Sequence, residues 1–266
     1  MDKKKKILTG IVLILFIVVF ILAYLLFQKY VLKSNFEKDI LPFANKNDKT
    51  VFQVNKIVLF SNCDAKNKTG SSSNFTIENL YQYTDMAIFI NNSSTEEKTA
   101  ENTFKKVSIN NIRYSTPPEL GETKLYFKGL NQFAKSDLVE ENEIKDNLDF
   151  IITAENEANL DTPTLYNNLA NPITLSYVNQ NIKSDYTITD TSTPITYDGS
   201  LLKRCNIALS SISCSLSFDI YITNNLDEEF KSTVFINIPL ETQEKSIYDG
   251  NINITQNTNF TFYRYK

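Results

Sequence analysis

The residues with the most evident chemical potential are carboxylates, which are concentrated between positions 137 and 161. The densest group consists of Glu140, Glu141, Glu143, Asp146 and Asp149. Carboxylate oxygens are hard ligands, so a Ca²⁺ site is one interpretation of this segment. The regular Asp/Asn-x-Asp/Asn-Gly loop is absent, however, and interleaved lysine dilutes the charge. A solvated acidic surface is the favoured interpretation, and we predict no metal site.

A weaker candidate of the same kind is the loop at 224–229, which carries Asp227, Glu228 and Glu229. Two carboxylates facing each other in a cleft could also hydrolyse a glycan by acid and base catalysis. The distance that this reaction needs is a property of the fold. A carboxylate-based glycan hydrolase is therefore kept as an alternative function.

Most other enzyme classes are disfavoured by residues that the chain lacks. It contains no His, which removes the Ser-His-Asp and Cys-His mechanisms and the usual zinc sites. None of the 6 Gly has the spacing of a phosphate-binding loop or a dinucleotide fingerprint. We therefore predict a protein that is not an enzyme, with no catalytic residues and no cofactor.

The cysteines Cys63, Cys205 and Cys214 allow one disulfide with one thiol left over if the domain lies in an oxidising compartment. Cys205 and Cys214 are the possible pair. A hairpin turn at Ser210–Ser211 would make them diagonal neighbours about 7–8 Å apart, which is wide for a disulfide. A longer loop would favour the bond. Small buried hydrophobic side chains are the favoured interpretation.

An apolar run extends from Ile7 to Phe27 and is preceded by the lysines at 3–6. This run determines where the rest of the chain lies relative to a membrane. At about 1.5 Å per residue it spans roughly 32 Å, enough to cross a bilayer core of about 30 Å. A cleaved signal peptide has a shorter apolar core followed by small residues, whereas this run ends in bulky ones. We predict an uncleaved signal-anchor; a cleaved signal and a buried core helix are the alternatives.

This anchor divides the chain into four parts. We predict a cytoplasmic tail at 1–6, a transmembrane helix at 7–27, a juxtamembrane helical stalk at 28–44 and an extracytoplasmic domain at 45–266. Cationic residues prefer the cytoplasmic side of a membrane span, so the lysines at 3–6 favour a cytoplasmic N-terminus. The predicted location is the cell membrane, crossed once.

Beyond the anchor, strand patterns dominate. The clearest is Ile212 to Ile222, where apolar residues alternate with polar ones and predict one buried and one wet face. Asp85 to Ile90 reads as a central strand, and a change of phase at Asn110–Asn111 predicts a bulge in the strand from Phe104 to Tyr114. Further strands are predicted at 50–60, 123–127, 148–153, 173–178, 182–188, 230–240 and 259–265.

Between these strands, residues 67–74 are predicted to form a loop, and 137–148 a short helix or an acidic loop. About ten strands with few helical patterns indicate two antiparallel sheets packed face to face. The predicted fold class is an all-β antiparallel sandwich, jelly-roll or immunoglobulin-like, preceded by one transmembrane helix.

The net charge of the chain limits the classes of partner that the domain can bind. The formal net charge is -4 for the chain and about -7 beyond the apolar run, which argues against nucleic acid. Frequent Asn, Lys and Ile suggest a bacterial genome rich in A and T. We predict a single-pass cell-envelope protein whose outer domain binds a protein or a cell-wall polymer, or self-associates. A sensory or regulatory subunit of a membrane complex is the second alternative.

Overall fold

The computed structural model describes residues 3–44, 51–70, 75–92, 97–154, 161–167, 171–183, 186–189 and 192–266. The chain forms two compact units that divide near residue 48. The first unit is helical, and the second is built almost entirely from β-strands.

The first unit contains one continuous helix, α1 (Lys3–Ala44). Its stretch Val12–Asn35 has a mean hydropathy of 2.6, and none of it is buried within the chain. Apolar side chains exposed over this length are unfavourable in water and suited to lipid. By length and composition this helix could cross a membrane, either as an anchor or as part of a signal sequence. Among the described residues, it is the one helix of this kind.

The described part of the second unit contains twelve strands and one short α-helix. In chain order they are β1 (Phe52–Gly70), β2 (Phe75–Asn92), β3 (Phe104–Tyr114), β4 (Glu122–Phe127), β5 (Leu148–Thr153), β6 (Thr164–Tyr166), β7 (Ile173–Lys183), β8 (Tyr186–Ile188), α2 (Ser200–Arg204), β9 (Cys214–Asn224), β10 (Glu229–Ile238), β11 (Ile252–Thr261) and β12 (Tyr263–Arg264).

These strands form two sheets. The first has the order β11-β1-β2-β7-β4, and β8 pairs with the N-terminal end of β2. The second has the order β12-β10-β9-β3-β5-β6. Neighbours are antiparallel except β5 and β6, which are parallel. One apolar core takes buried side chains from both sheets, such as Ile57 and Leu175 from the first and Phe218 and Val234 from the second. The predicted all-β sandwich is confirmed.

Two local predictions are confirmed, the first of them only for its core face, since Ser217 and Asp219 on the predicted wet face of β9 are buried. In β9 the even-numbered side chains from Cys214 to Ile222 are buried in the core, as a period of two requires. The pairing of β3 with β9 shifts register between Asn110 and Arg113, where Asn111 adopts a φ of 53°. This irregularity is the bulge that the change of apolar phase indicates.

The structure differs from prediction where backbone pairing overrides composition. Residues 67–70 continue β1 and pair with β2 up to Phe75, although they were expected in a loop; residues 71–74 lie outside the described residues. The predicted strand at 182–188 is split between the end of β7 and β8. For the segment 137–148, predicted as a short helix or an acidic loop, the structure shows the loop, with one 3-10 turn at Glu140–Asn142. No sequence pattern indicated α2.

Candidate functional site

The connection from β4 to β5, residues 128–147, covers part of the outer face of the first sheet. Beneath it lies a second apolar cluster of Tyr81, Tyr83, Tyr126 and Val178, separate from the main core. Leu138 of the connection packs against this cluster, and the Tyr81 hydroxyl donates a hydrogen bond to the Ser136 carbonyl at 3.1 Å. The first sheet is therefore buried on both faces in this region. We use the name covered face for the outer surface of β2, β7 and β4 that lies under residues 128–147.

A buried ion pair lies at the edge of the covered face. The Lys128 ammonium donates to both carboxylate oxygens of Asp85, at 2.9 Å to Oδ1 and 2.8 Å to Oδ2. The exposed fractions of the two side chains are 4% for Lys128 and 0% for Asp85. Removing two charges from water costs several kcal/mol per ion unless hydrogen bonds compensate.

Hydrogen bonds from Ser176 and Ala134 compensate the charge of Asp85, and contacts with Lys135 and Tyr83 compensate that of Lys128. The Ser176 hydroxyl donates to Oδ1 of Asp85 at 2.6 Å, and the Ala134 amide donates to Oδ2 at 2.8 Å. The Lys128 ammonium also donates to the Lys135 carbonyl and lies 4.9 Å from the centre of the Tyr83 ring. These contacts satisfy both charges without water.

Three strands and one strained residue position these groups. Asp85 is on β2, Ser176 is on the adjacent β7, and Lys128 comes directly after β4, which pairs with the other edge of β7. The Thr174 hydroxyl on β7 donates to the Lys128 carbonyl and so fixes the backbone there. Ala134 has a φ of 65°, an uncommon conformation for a residue with a side chain, and this turn directs its amide to Asp85.

Burial shifts the pKa of both charged groups toward the neutral state. Desolvation raises the pKa of Asp85, opposed by Lys128 and the hydrogen-bond donors. Desolvation lowers the pKa of Lys128, opposed by Asp85. Perturbed acid and base groups beside a cavity are a common mark of a functional site.

A pocket of about 350 Å³ opens beside this pair. Its size falls in the range of small-ligand sites, roughly 300–1,000 Å³. It is lined by Tyr126, Phe127, Lys128, Gly129, Asn131, Gln132, Asp137, Leu138, Val139, Asn142 and Asp161. Aromatic and aliphatic walls with side-chain amides and carboxylates around them can hold a polar ligand by hydrogen bonds.

The acidic cluster singled out by the sequence is dispersed over several partners. Glu143 pairs with Lys124 at 2.9 Å, Asp149 with Lys106 at 3.5 Å, and Glu140 with Lys66 at 3.5 Å. Within the described ranges, no three Cys, Asp or Glu side chains come together in a way that could hold a metal ion.

The second acidic loop, at 224–229, has a structural role. The Asn224 side-chain oxygen accepts hydrogen bonds from the Leu226 and Glu228 amides at 3.0 and 2.9 Å and so closes the turn. Asp227 pairs with Lys105, and Glu228 pairs with Arg264 at 3.0 Å.

The three cysteines are free and buried. Cys205 directly follows α2 and Cys214 begins β9, with a 3-10 turn at Leu209–Ile212 between them instead of a hairpin. Burial raises the pKa of the Cys205 thiol to about 11 and raises that of Cys63 as well, so neither is a reactive thiolate at neutral pH. The Cys205–Cys214 disulfide stays a prediction.

Sequence reasoning missed the ion pair of the covered face, although one signal was present. Asp85 directly precedes the unbroken apolar run 86–90, which predicts a central strand. A carboxylate adjoining a fully buried run needs a cationic or hydrogen-bonding partner. The identity of that partner depends on strand order, which the sequence does not reveal.

Comparison with known proteins finds no similarity: no protein-family model matches the chain, and no curated protein or solved structure matches it significantly.

Proposed function

We propose that this chain is a single-pass membrane-anchored protein of the bacterial cell envelope, whose β-sandwich lies outside the cytoplasm and binds a partner without catalysis. The observation that carries the proposal is the apolar stretch Val12–Asn35, none of which is buried within the chain and which is joined to a β-rich domain. Such a surface has no favourable environment in water, whereas a lipid bilayer accommodates it.

The charges around α1 support the orientation. The lysines at 3–6 precede the apolar stretch, and cationic residues close to a span are retained on the cytoplasmic side. A long domain after the span can be translocated largely regardless of its own charge. In this orientation the β-sandwich would lie in the envelope, where protein partners and wall polymers are present.

The pocket of the covered face supports binding as the activity. Asn131, Gln132 and Asn142 supply hydrogen-bond donors and acceptors, and Asp137 and Asp161 supply negative charge. This combination suits a polar segment of a partner protein, whose backbone amides and cationic side chains would be complementary. Absence of His and of the familiar nucleophile motifs supports a non-enzymatic role.

Fractionation of cells that make the full chain tests the anchor and its orientation. We expect the intact protein in the membrane fraction, released by detergent and not by high salt, with the β-sandwich digested by protease added to intact cells. Recovery of the full-length chain as a soluble protein, or digestion only after cell lysis, would contradict the proposal.

Photocrosslinking in intact cells tests the binding site. A photoreactive residue at Val139, an exposed side chain that lines the pocket, should give a specific crosslinked product. The matched control is the same residue at Phe235, which is also exposed but lies on the second sheet. No product from Val139, or equal products from both positions, would rule out the pocket as the contact surface. Identification of a wall polymer in the product would replace the protein partner.

A further inference from the structure

The Asp85–Lys128 pair brings an amine and a carboxyl group to bonding distance in a dry environment. Because Nζ lies 2.9 and 2.8 Å from the two carboxylate oxygens, it is within about 3.2 Å of Cγ, a separation from which reacting atoms can form a bond. Both side chains are almost completely excluded from solvent. This proximity is fixed by strands, so the two groups remain together once the domain has folded.

The surroundings of Asp85 resemble those of an activated carboxyl group. The Ala134 amide points at Oδ2, where negative charge would develop if a nucleophile added to Cγ. The Ser176 hydroxyl donates a hydrogen bond to Oδ1 at 2.6 Å, which assists the departure of that oxygen. Burial also favours the uncharged amine and the uncharged acid, the forms that react.

We propose that Lys128 and Asp85 become joined by an intramolecular amide bond after the domain folds. The ammonium passes one proton to Oδ1 of the carboxylate, which leaves a neutral amine and a carboxylic acid. The amine lone pair adds to Cγ and forms the Nζ–Cγ bond while charge moves to Oδ2. A second amine proton passes directly from Nζ to Oδ1, the Cγ–Oδ1 bond breaks, and one water leaves. The step needs no oxidant and no other reactant.

The bond links β2 to the residue after β4 across the intervening β7. It replaces a contact that unfolding disrupts with one that unfolding leaves intact, and it keeps the start of the β4–β5 connection attached to the sheet. This inference does not depend on the proposed binding function, since it concerns the closure of the domain alone.

Intact mass measurement of the full chain, extracted in detergent and then denatured, tests the bond directly. The wild-type protein should be lighter than its encoded mass by about 18 Da, one water. Proteolysis should release a branched peptide that contains both Asp85 and Lys128. A wild-type chain at its full encoded mass would overturn the proposal and leave the two groups as an ion pair.

Two variants show that the loss arises at this site. Lys128→Arg keeps the positive charge but removes the nucleophilic amine, so it should have its full encoded mass. Lys124→Arg alters a nearby lysine that pairs with Glu143 and should still lose the water. If Lys128→Arg also lost the water, the dehydration would lie elsewhere, for example at Asp198–Gly199 or Asp249–Gly250, and the proposal would be wrong.

Discussion

Asp85 and Asp219 are two buried carboxylates in comparable places, yet their pKa values are shifted in opposite directions. Each lies on the outer face of an interior strand, β2 in the first sheet and β9 in the second, and their exposed fractions are 0% and 1%. The pKa of Asp85 is raised by burial. Burial would raise the pKa of Asp219 as well, but hydrogen bonds from Thr233, Lys231 and Asn111 outweigh it and lower the pKa.

The difference lies in what covers the cationic partners. Lys128 is 4% exposed beneath the β4–β5 connection, whereas Lys231 and Arg113, which pair with Asp219 at 2.9 and 3.1 Å, are 21% and 49% exposed. Partners in contact with water stay charged at little cost and stabilise the carboxylate. A buried carboxylate is therefore stabilised or perturbed according to the solvation of its partner as well as its own.

Among the variants that test this comparison, Lys128→Met should lower the stability of the domain most. It removes the amine that pairs with Asp85 and that the proposed amide bond requires, but it keeps an apolar stem of similar length. Asp85 is therefore left as a buried carboxylate without a counter-charge. We expect the free energy of unfolding to fall by about 3–5 kcal/mol. Urea denaturation of the full chain in detergent measures this loss. Lys124→Met is the control, because Lys124 forms a partly exposed ion pair with Glu143. Loss of that pair should cost less than about 1 kcal/mol.

A double variant sharpens this test. Replacing both members of a buried pair by apolar residues is often close to neutral, so adding Asp85→Leu to Lys128→Met should recover part of the lost stability. Equal losses of unfolding free energy for Lys128→Met and Lys124→Met would show that burial of Lys128 under the β4–β5 connection does not affect stability.

Asp219→Asn should have an intermediate effect that depends on pH. At pH 7 we expect a loss of about 1–3 kcal/mol, because the amide keeps the shape of the carboxylate but gives Lys231 and Arg113 no counter-charge. The folded-state pKa lies below the ordinary value near 4, so the carboxylate stabilises the fold above that pH and loses this contribution as pH falls through the folded-state pKa.

The difference in unfolding free energy between wild type and Asp219→Asn should thus be constant from about pH 7 to 5 and shrink below about pH 4. Denaturation curves at a series of pH values measure it. A difference that grows toward low pH would mean that the pKa of Asp219 is raised, as at Asp85.

Leu138→Ala should have the smallest effect. Leu138 is partly buried against the tyrosine cluster of the covered face, so we expect a loss of only about 1–2 kcal/mol, below that of a fully buried leucine. Hydrogen exchange should become faster in residues 129–143 while β9 amides stay protected. Unchanged exchange in that segment would show that other contacts hold the connection in place.

Local patterns predicted the second sheet better than the first. The alternation in β9 and the bulge at Asn110–Asn111 depend on neighbouring residues, and both are present in the structure. Residues 67–70 were assigned to a loop because their composition is polar, yet pairing with β2 extends β1 through them. Strand pairing satisfies the backbone whatever the side chains are, so composition alone misjudges such an extension.

The covered face was beyond prediction for a different reason. Asp85 and Lys128 are 43 positions apart, and Asp85 and Ser176 are 91 apart. Their meeting depends on β7 lying between β2 and β4, an order that does not follow the sequence. The acidic residues at 140–149 form a visible pattern because they are neighbours in the chain, whereas the groups that converge in the structure are distant in it.

The long separation between Asp85 and Ser176 also sets an order of events during synthesis. A chain that emerges N-terminus first presents Asp85 and Lys128 well before β7 exists, so β2 and β4 have no strand to join them. Only when about ninety further residues have followed Asp85 can the two partners meet over Ser176. The nascent domain therefore stays open along this face until more than half of it has been made, and closure is a late step of its maturation.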